Sequence, residues 1–176
     1  MVRLRGISGS LRAASGSTAL LAALGERLEG RVDYARLSIG DLPHYNADSD
    51  GGMAVATFIE GVRQADGLVF VTPEYNFSVP GVLKNAIDWA SRPAYQSVFK
   101  GKPCFVISTS GGALGGVRAQ AHLKYILNGM LAEVFTWQEI VVPNAPAKLQ
   151  DGNFADQAVL DFAMAGLDAF VTKLDG

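Results

Sequence analysis

Three short stretches of the chain concentrate the residue types that hold anions and flat rings. The first reads Gly9-Ser10-Leu11-Arg12-Ala13-Ala14-Ser15-Gly16-Ser17-Thr18 and runs straight into a helical pattern. Backbone N–H groups at a helix start, with the helix dipole behind them, favour an anion. Ser10, Ser15, Ser17 and Thr18 add hydroxyls, and Arg12 can give a phosphate a charge-assisted bond. An ordinary capped turn also uses Ser, Gly and Thr, but it leaves Arg12 and the surplus hydroxyls unexplained. The second stretch, Pro73-Glu74-Tyr75-Asn76-Phe77, sets an aromatic beside an amide. Tyr75 could pack on a flat heterocycle while N–H groups near Asn76 address its polar edge, although Pro and Asn are also common loop residues. The third, Ser110-Gly111-Gly112-Ala113-Leu114-Gly115-Gly116, would let backbone approach a ligand closely. A flexible loop explains it nearly as well.

Other chemistry finds less support. No GxGxxG occurs, and Gly101-Lys102 runs into Pro103 without the upstream glycine of a Walker loop. No GxSxG elbow surrounds Ser8, Ser10 or Ser110, so a serine hydrolase is disfavoured. Asn46 to Gly51 imitates the opening of a calcium loop, but Thr57 stands where the closing Glu belongs, and a solvated turn is expected. His44 and His122 stand alone without metal-ligand spacing, so no metal site is expected. Cys104 lies in an apolar run and reads as an inert core thiol; Trp89 and Trp137 read as packing or interface residues.

Elements that would position these loops follow from periodicity. Short apolar runs alternate with longer helical patterns, the signature of a parallel sheet covered on both faces. The first strand ends near Ser8, and a helix from about Ser17 to Glu29 carries Leu20, Leu24 and Leu28 on one stripe. Arg31 to Leu37 has charges on both faces, which suits an edge strand. A helix near Met53 to Ala65 leads into Gly67 to Thr72, apolar on both faces as a central parallel strand must be. Ser78 is expected to cap a third helix, with Pro80 in its first turn and Val82, Ala86, Trp89 and Ala90 buried. A strand from Pro103 to Ser110, a helix from Val117 to Leu131 and a strand from Val134 to Val142 follow. The last helix carries Leu160, Ala163, Leu167, Val171 and Leu174.

This order predicts an α/β protein: a flavodoxin-like, doubly wound, five-stranded parallel sheet in the order 2-1-3-4-5. Ligands of such sheets bind beyond the carboxyl ends of the strands, where the order reverses. Strands one, three and four would be neighbours there, so the three stretches would share one edge.

The chain has 176 residues, 49% apolar and 18% charged, with 15 basic against 17 acidic side chains and a net charge of −2. That length buries roughly two-thirds of the unfolded surface, enough for one domain spanning 1–176 without staples. The charge balance offers no broad attraction to nucleic acid or an anionic membrane. A single cysteine excludes an internal disulfide and favours a reducing compartment. Neither a secretory signal nor an apolar run of membrane-spanning length is evident, so a cytoplasmic location is expected.

Taken together, the loops resemble the NADPH-dependent FMN reductase family, particularly its chromate- and quinone-reducing branch. The match is carried by Gly9-Ser10-Leu11-Arg12, Pro73-Glu74-Tyr75-Asn76, Val79 through Trp89, and Gly115-Gly116-Val117-Arg118. It weakens after about Pro143. The resemblance implies bound FMN, NADPH or NADH as reductant, and a homodimer or homotetramer. It places the phosphate on Ser10, Arg12, Ser15 and Ser17. Pro73, Glu74, Tyr75 and Asn76 would border the isoalloxazine, with Ser110 and Gly111 on its other side. The family often has Asn where this chain has Ser17, and the chromate-reducing branch often has Tyr where it has Ala121.

The expected reaction passes hydride from NAD(P)H to flavin N5 and then electrons to a quinone or similar small-molecule acceptor. It needs no side-chain acid or base, so no catalytic residue is assigned. The main alternative is a flavodoxin-like electron carrier without reductase turnover, although such carriers are usually more acidic with a Thr-rich phosphate loop. A flavin-independent phosphate-binding or signalling domain is a third.

Overall fold

The computed structural model describes all 176 residues. Four strands, β1 (Arg3–Ser8), β2 (Asp33–Arg36), β3 (Gly67–Pro73) and β4 (Pro103–Thr109), run parallel, interleaved with α1 (Gly16–Arg27), α2 (Gly52–Gln64) and α3 (Gly81–Ala90). After α4 (Val117–Gly129) come two short strands, β5 (Glu133–Val134) and β6 (Ile140–Val142), then the hairpin β7 (Leu149–Gln150) and β8 (Asn153–Phe154), and finally α5 (Gln157–Asp175). The main sheet has the order β2-β1-β3-β4-β5, with β6 also on β4. This is the flavodoxin-like arrangement that the periodicity predicts.

Every residue of β3 is buried, as its two-sided apolar pattern requires. The edge strand β2 pairs only with β1, and its charged residues meet solvent or the Arg5–Asp33 ion pair. Tyr34 alone turns inward, and its hydroxyl donates to the Leu21 carbonyl at 3.1 Å. The ring lies against α1 where a Cβ on Gly25 would come within 2.3 Å of it, which accounts for a glycine inside that helix.

Two cores sandwich the sheet. On one face Leu20, Leu24 and Leu28 of α1 and Leu167 and Phe170 of α5 pack on Val69, Val71, Phe105 and Ile107. On the other, Phe58 of α2, Leu83 and Ile87 of α3 and Leu123 and Leu127 of α4 cover Leu68, Phe70 and Val106. Cys104 is fully buried there, and burial pushes its thiol far up, which keeps it a neutral packing group. No helix is long and apolar enough to cross a membrane.

Two details differ from the periodicity. The last strand does not run unbroken from Val134 to Val142: only β5 and β6 pair with β4, and after a final bond from the Phe135 N–H to the Cys104 carbonyl the chain leaves the sheet until Ile140. Phe135 instead packs on Phe170 and Phe105, with ring centroids 5.3 and 6.0 Å apart, and Trp137 stacks on Phe135. Aromatic packing under α5 has outweighed ladder continuity. Ser78 does not cap α3 either. Pro80 holds the cap position in extended backbone, and its carbonyl accepts from Leu83 and Lys84. Ser78 is drawn into a turn, and its hydroxyl lies 2.9 Å from Nδ1 of His122, an exposed residue of α4.

Phe170 sits fully buried between Phe105 and Phe135. Replacing it with alanine is expected to cost about 3–5 kcal/mol, read as a lower urea midpoint, because the two rings left, Phe105 and Phe135, cannot fill the void.

Candidate functional site

The loops that follow β1, β3 and β4 meet at the carboxyl edge of the sheet. Ser10, Arg12, Ser15, Ser17, Pro73, Glu74, Tyr75, Ser110 and Gly111 all line one narrow recess there. Asn76 is the one expected site residue that does not line it. Thr109, Ala145 and Pro146 do, although none of them is among the residues expected from the sequence. Thr109 was within reach, being the last strand residue before Ser110. Ala145 and Pro146 carry no local signal; the chain returns them to the site only after β6, where the Ala145 N–H donates to the Ser110 carbonyl at 2.9 Å.

The first loop gathers donors of the kind that hold an anion. Ser15 caps α1, its Oγ accepting from the Thr18 N–H at 3.2 Å. The N–H groups of Gly16 and Ser17 open the helix and have no intrahelical acceptor. No acidic residue occupies that first turn. Ser17 is almost wholly buried, and its hydroxyl meets the Thr109 hydroxyl at 2.7 Å, fastening α1 to the end of β4. Ser10 Oγ accepts from the Arg12 N–H and meets the Tyr75 hydroxyl, each at 3.3 Å, so the first and second loops are joined. The Arg12 side chain is exposed and forms no ion pair.

The second loop is a tight turn. Tyr75 and Ser78 exchange backbone bonds at 3.0 and 3.1 Å, and Asn76 and Phe77 between them adopt φ of 47° and 68°. Two left-handed residues in succession define a type I′ turn, natural for Asn and unusual for Phe. The Arg118 guanidinium lies 4.8 Å from the Phe77 ring centroid and holds it there.

The Glu74 carboxylate is committed to the start of α4. It accepts from the N–H groups of Arg118 and Ala119 at 3.1 and 3.3 Å and from the Arg118 guanidinium at 3.0 Å. Burial alone would raise its pKa, but the Arg118 side chain and the two N–H groups outweigh this and hold it below the usual glutamate value. One loop thus caps the helix that follows another.

The third loop divides in function. Gly115 and Gly116 have φ of 62° and 82°, and a Cβ on Gly116 would lie 2.7 Å from the Thr109 carbonyl oxygen. These two glycines are required by the chain's own packing. Gly111 has only the edge of Pro146 near it, at 3.9 Å, and faces the recess.

The donor set suits a phosphorylated ring: hydroxyls, helix N–H groups and an uncommitted guanidinium at one end, aromatic and glycine surfaces at the other. Glu74, the carboxylate at its border, is engaged by α4. A model of the NADPH-dependent FMN reductase family matches residues 2–147. The chain belongs to that family.

The chain is 36% identical over 167 residues to the 2-hydroxy-1,4-benzoquinone reductase of Burkholderia sp., covering 93% of this chain and 91% of that one. It is 45% identical over 139 residues to a quinone reductase of Escherichia coli (strain K12), covering 76% and 73%. The solved structure of the flavoenzyme NAD(P)H:(acceptor) oxidoreductase FerB from Paracoccus denitrificans superposes with a TM-score of 0.87 at 37% identity, covering 99% and 98%. The reductase is accordingly an NAD(P)H-dependent oxidoreductase that uses FMN.

Two remaining features have local explanations. In the stretch from Asn46 to Gly51 the side chains of Asn46, Ser49 and Asp50 accept from backbone N–H groups two residues on, which makes a run of solvated turns. Trp89 is buried, its Nε1 donating to the Pro43 carbonyl at 2.8 Å.

Glu74→Gln is expected to destabilise the fold by about 1 kcal/mol at neutral pH, since a neutral acceptor replaces a charged one on partly exposed partners. The folded pKa of Glu74 is depressed, so this advantage of wild type is full above the ordinary glutamate value and lost as pH falls through the depressed one. Urea midpoints of both proteins should therefore converge in acid.

Proposed function

We propose that this protein is an FMN-dependent NAD(P)H reductase whose acceptor is a quinone or a similar small aromatic oxidant, and that the full span 1–176 forms one such unit. The observation that carries the assignment is the recess shared by the loops after β1, β3 and β4, with an unpaired Arg12 at the open N-terminus of α1. In this reading Ser10, Arg12, Ser15 and Ser17 hold the phosphate. Pro73, Glu74, Tyr75 and Asn76 border the ring from one side, Glu74 and Asn76 through their backbone, and Ser110 and Gly111 from the other. Bound FMN supplies the hydride-accepting and electron-donating ring, chemistry that no side chain performs.

The protein's own part is binding and orientation. Glu74 is neutralised by Arg118, and the Tyr75 hydroxyl is engaged by Ser10, so the recess offers no free acid or base. Relatives named as quinone reductases support the acceptor class and favour turnover over simple electron carriage. Phe77, which lies against Arg118 of α4, and Tyr125 on the same helix are exposed aromatics and support self-association through α4, as a homodimer or homotetramer. The composition and the lone cysteine support a cytoplasmic location.

Purified protein should carry flavin absorbance and oxidise NAD(P)H when a benzoquinone is added. Arg12→Ala should weaken FMN binding by about tenfold or more, the loss expected for one charge-assisted bond to phosphate, in a fluorescence-quenching titration. Wild-type protein that holds FMN yet turns over neither nucleotide with any quinone would be an electron carrier instead.

A further inference from the structure

A second cleft, of about 450 Å3, opens on the other side of the first loop and shares only Ser10 with the recess described above. Leu21 and Ile39 are buried at its base, while Arg36 and Ser38 are exposed at its mouth. Ser8 and Thr18, whose hydroxyls meet at 2.8 Å, also border it. The cleft is larger than the phosphate cradle needs, and nothing in the flavin assignment uses it.

Arg36 is the unusual residue in it. The chain has nine arginines. Six of them are ion-paired: Arg3, Arg5, Arg27, Arg31, Arg63 and Arg118. Arg92 lies over the Tyr45 ring. Only Arg12 and Arg36 have neither partner, and the two stand on opposite sides of one loop. Glu26 shares a smaller groove with Arg36 but does not reach ion-pairing distance. An uncommitted guanidinium can form a bidentate bond to phosphate without first giving up another anion. The apolar base suits the face of a purine, and the hydroxyls suit a ribose.

A nicotinamide nucleotide must bring its reactive ring to the loops after β3 and β4 and lodge its adenosine end within reach. This cleft adjoins the recess at Ser10. We propose that it receives the adenosine end of the nucleotide, and that Arg36 determines specificity by pairing with the 2′-phosphate that separates NADPH from NADH. The inference rests on the reductase function proposed above.

The test uses FMN-loaded protein and two probes, 2′,5′-ADP and 5′-AMP, which differ only in the 2′-phosphate. Calorimetry should show 2′,5′-ADP binding the more tightly. Arg36→Ala should reduce that affinity by about tenfold, Arg36→Lys by less, and neither should change 5′-AMP binding. The ratio of kcat/KM for NADPH to that for NADH should fall in step. Arg36 is exposed on an edge strand, and thermal melts of the variants check that folding is intact. Unchanged 2′,5′-ADP affinity and an unchanged ratio in Arg36→Ala would overturn the inference while leaving the reductase function standing. A wild type that binds 2′,5′-ADP through Arg36 but oxidises neither nucleotide would overturn the reductase function and leave the anion site standing.

Discussion

A helix N-terminus needs acceptors, and this protein treats two of them in opposite ways. At α4 the chain satisfies the need itself: Glu74 crosses from the preceding loop, takes two backbone N–H groups and is neutralised by Arg118. At α1 only Ser15 contributes, no carboxylate enters the first turn, and Arg12 beside it stays unpaired. The positive end of that helix is left for something from outside. Closing one terminus with protein and leaving the neighbouring one open is what the proposed phosphate site rests on.

The sheet makes this arrangement possible. Because β3 is added beside β1 and β4 beside β3, three loops far apart in sequence emerge side by side. Two hydroxyl contacts then join them, Ser10 with Tyr75 and Ser17 with Thr109. The return of the chain after β6 closes the far wall with Ala145 and Pro146. None of these contacts involves a charged side chain, so the charge that the cradle presents comes from Arg12 and the helix.

Much of this was legible in the residues. The two-sided apolar run of β3 and the charged run of β2 placed a central and an edge strand, and from them the strand order. Ser15 and Arg12 singled out the first loop because their types exceed what a turn needs, and both line the recess. What stayed hidden was set by long-range packing. Phe135 and Trp137 read as strand residues, yet they leave the sheet to join Phe170. Ser78 has the chemistry of a cap, but Pro80 sits closer to the helix and fixes its start. The engagement of the Glu74 carboxylate by α4 had no local signal, because its partner lies more than forty residues away. Gly115 and Gly116 read as ligand-facing, whereas the backbone of the neighbouring strands is what excludes their side chains.

The buried hydroxyl pair between Ser17 and Thr109 has a mechanical consequence. It locks the first turn of α1 to the tip of β4, so the interval between the anion cradle and the ring surfaces is a built-in gauge. On the proposed flavin reading, a ligand must match that gauge to reach both ends. One whose tether is too short, or which lacks the terminal charge, would engage a single end and forfeit the other. Much of the ordering cost of selecting the right length was met when the chain folded.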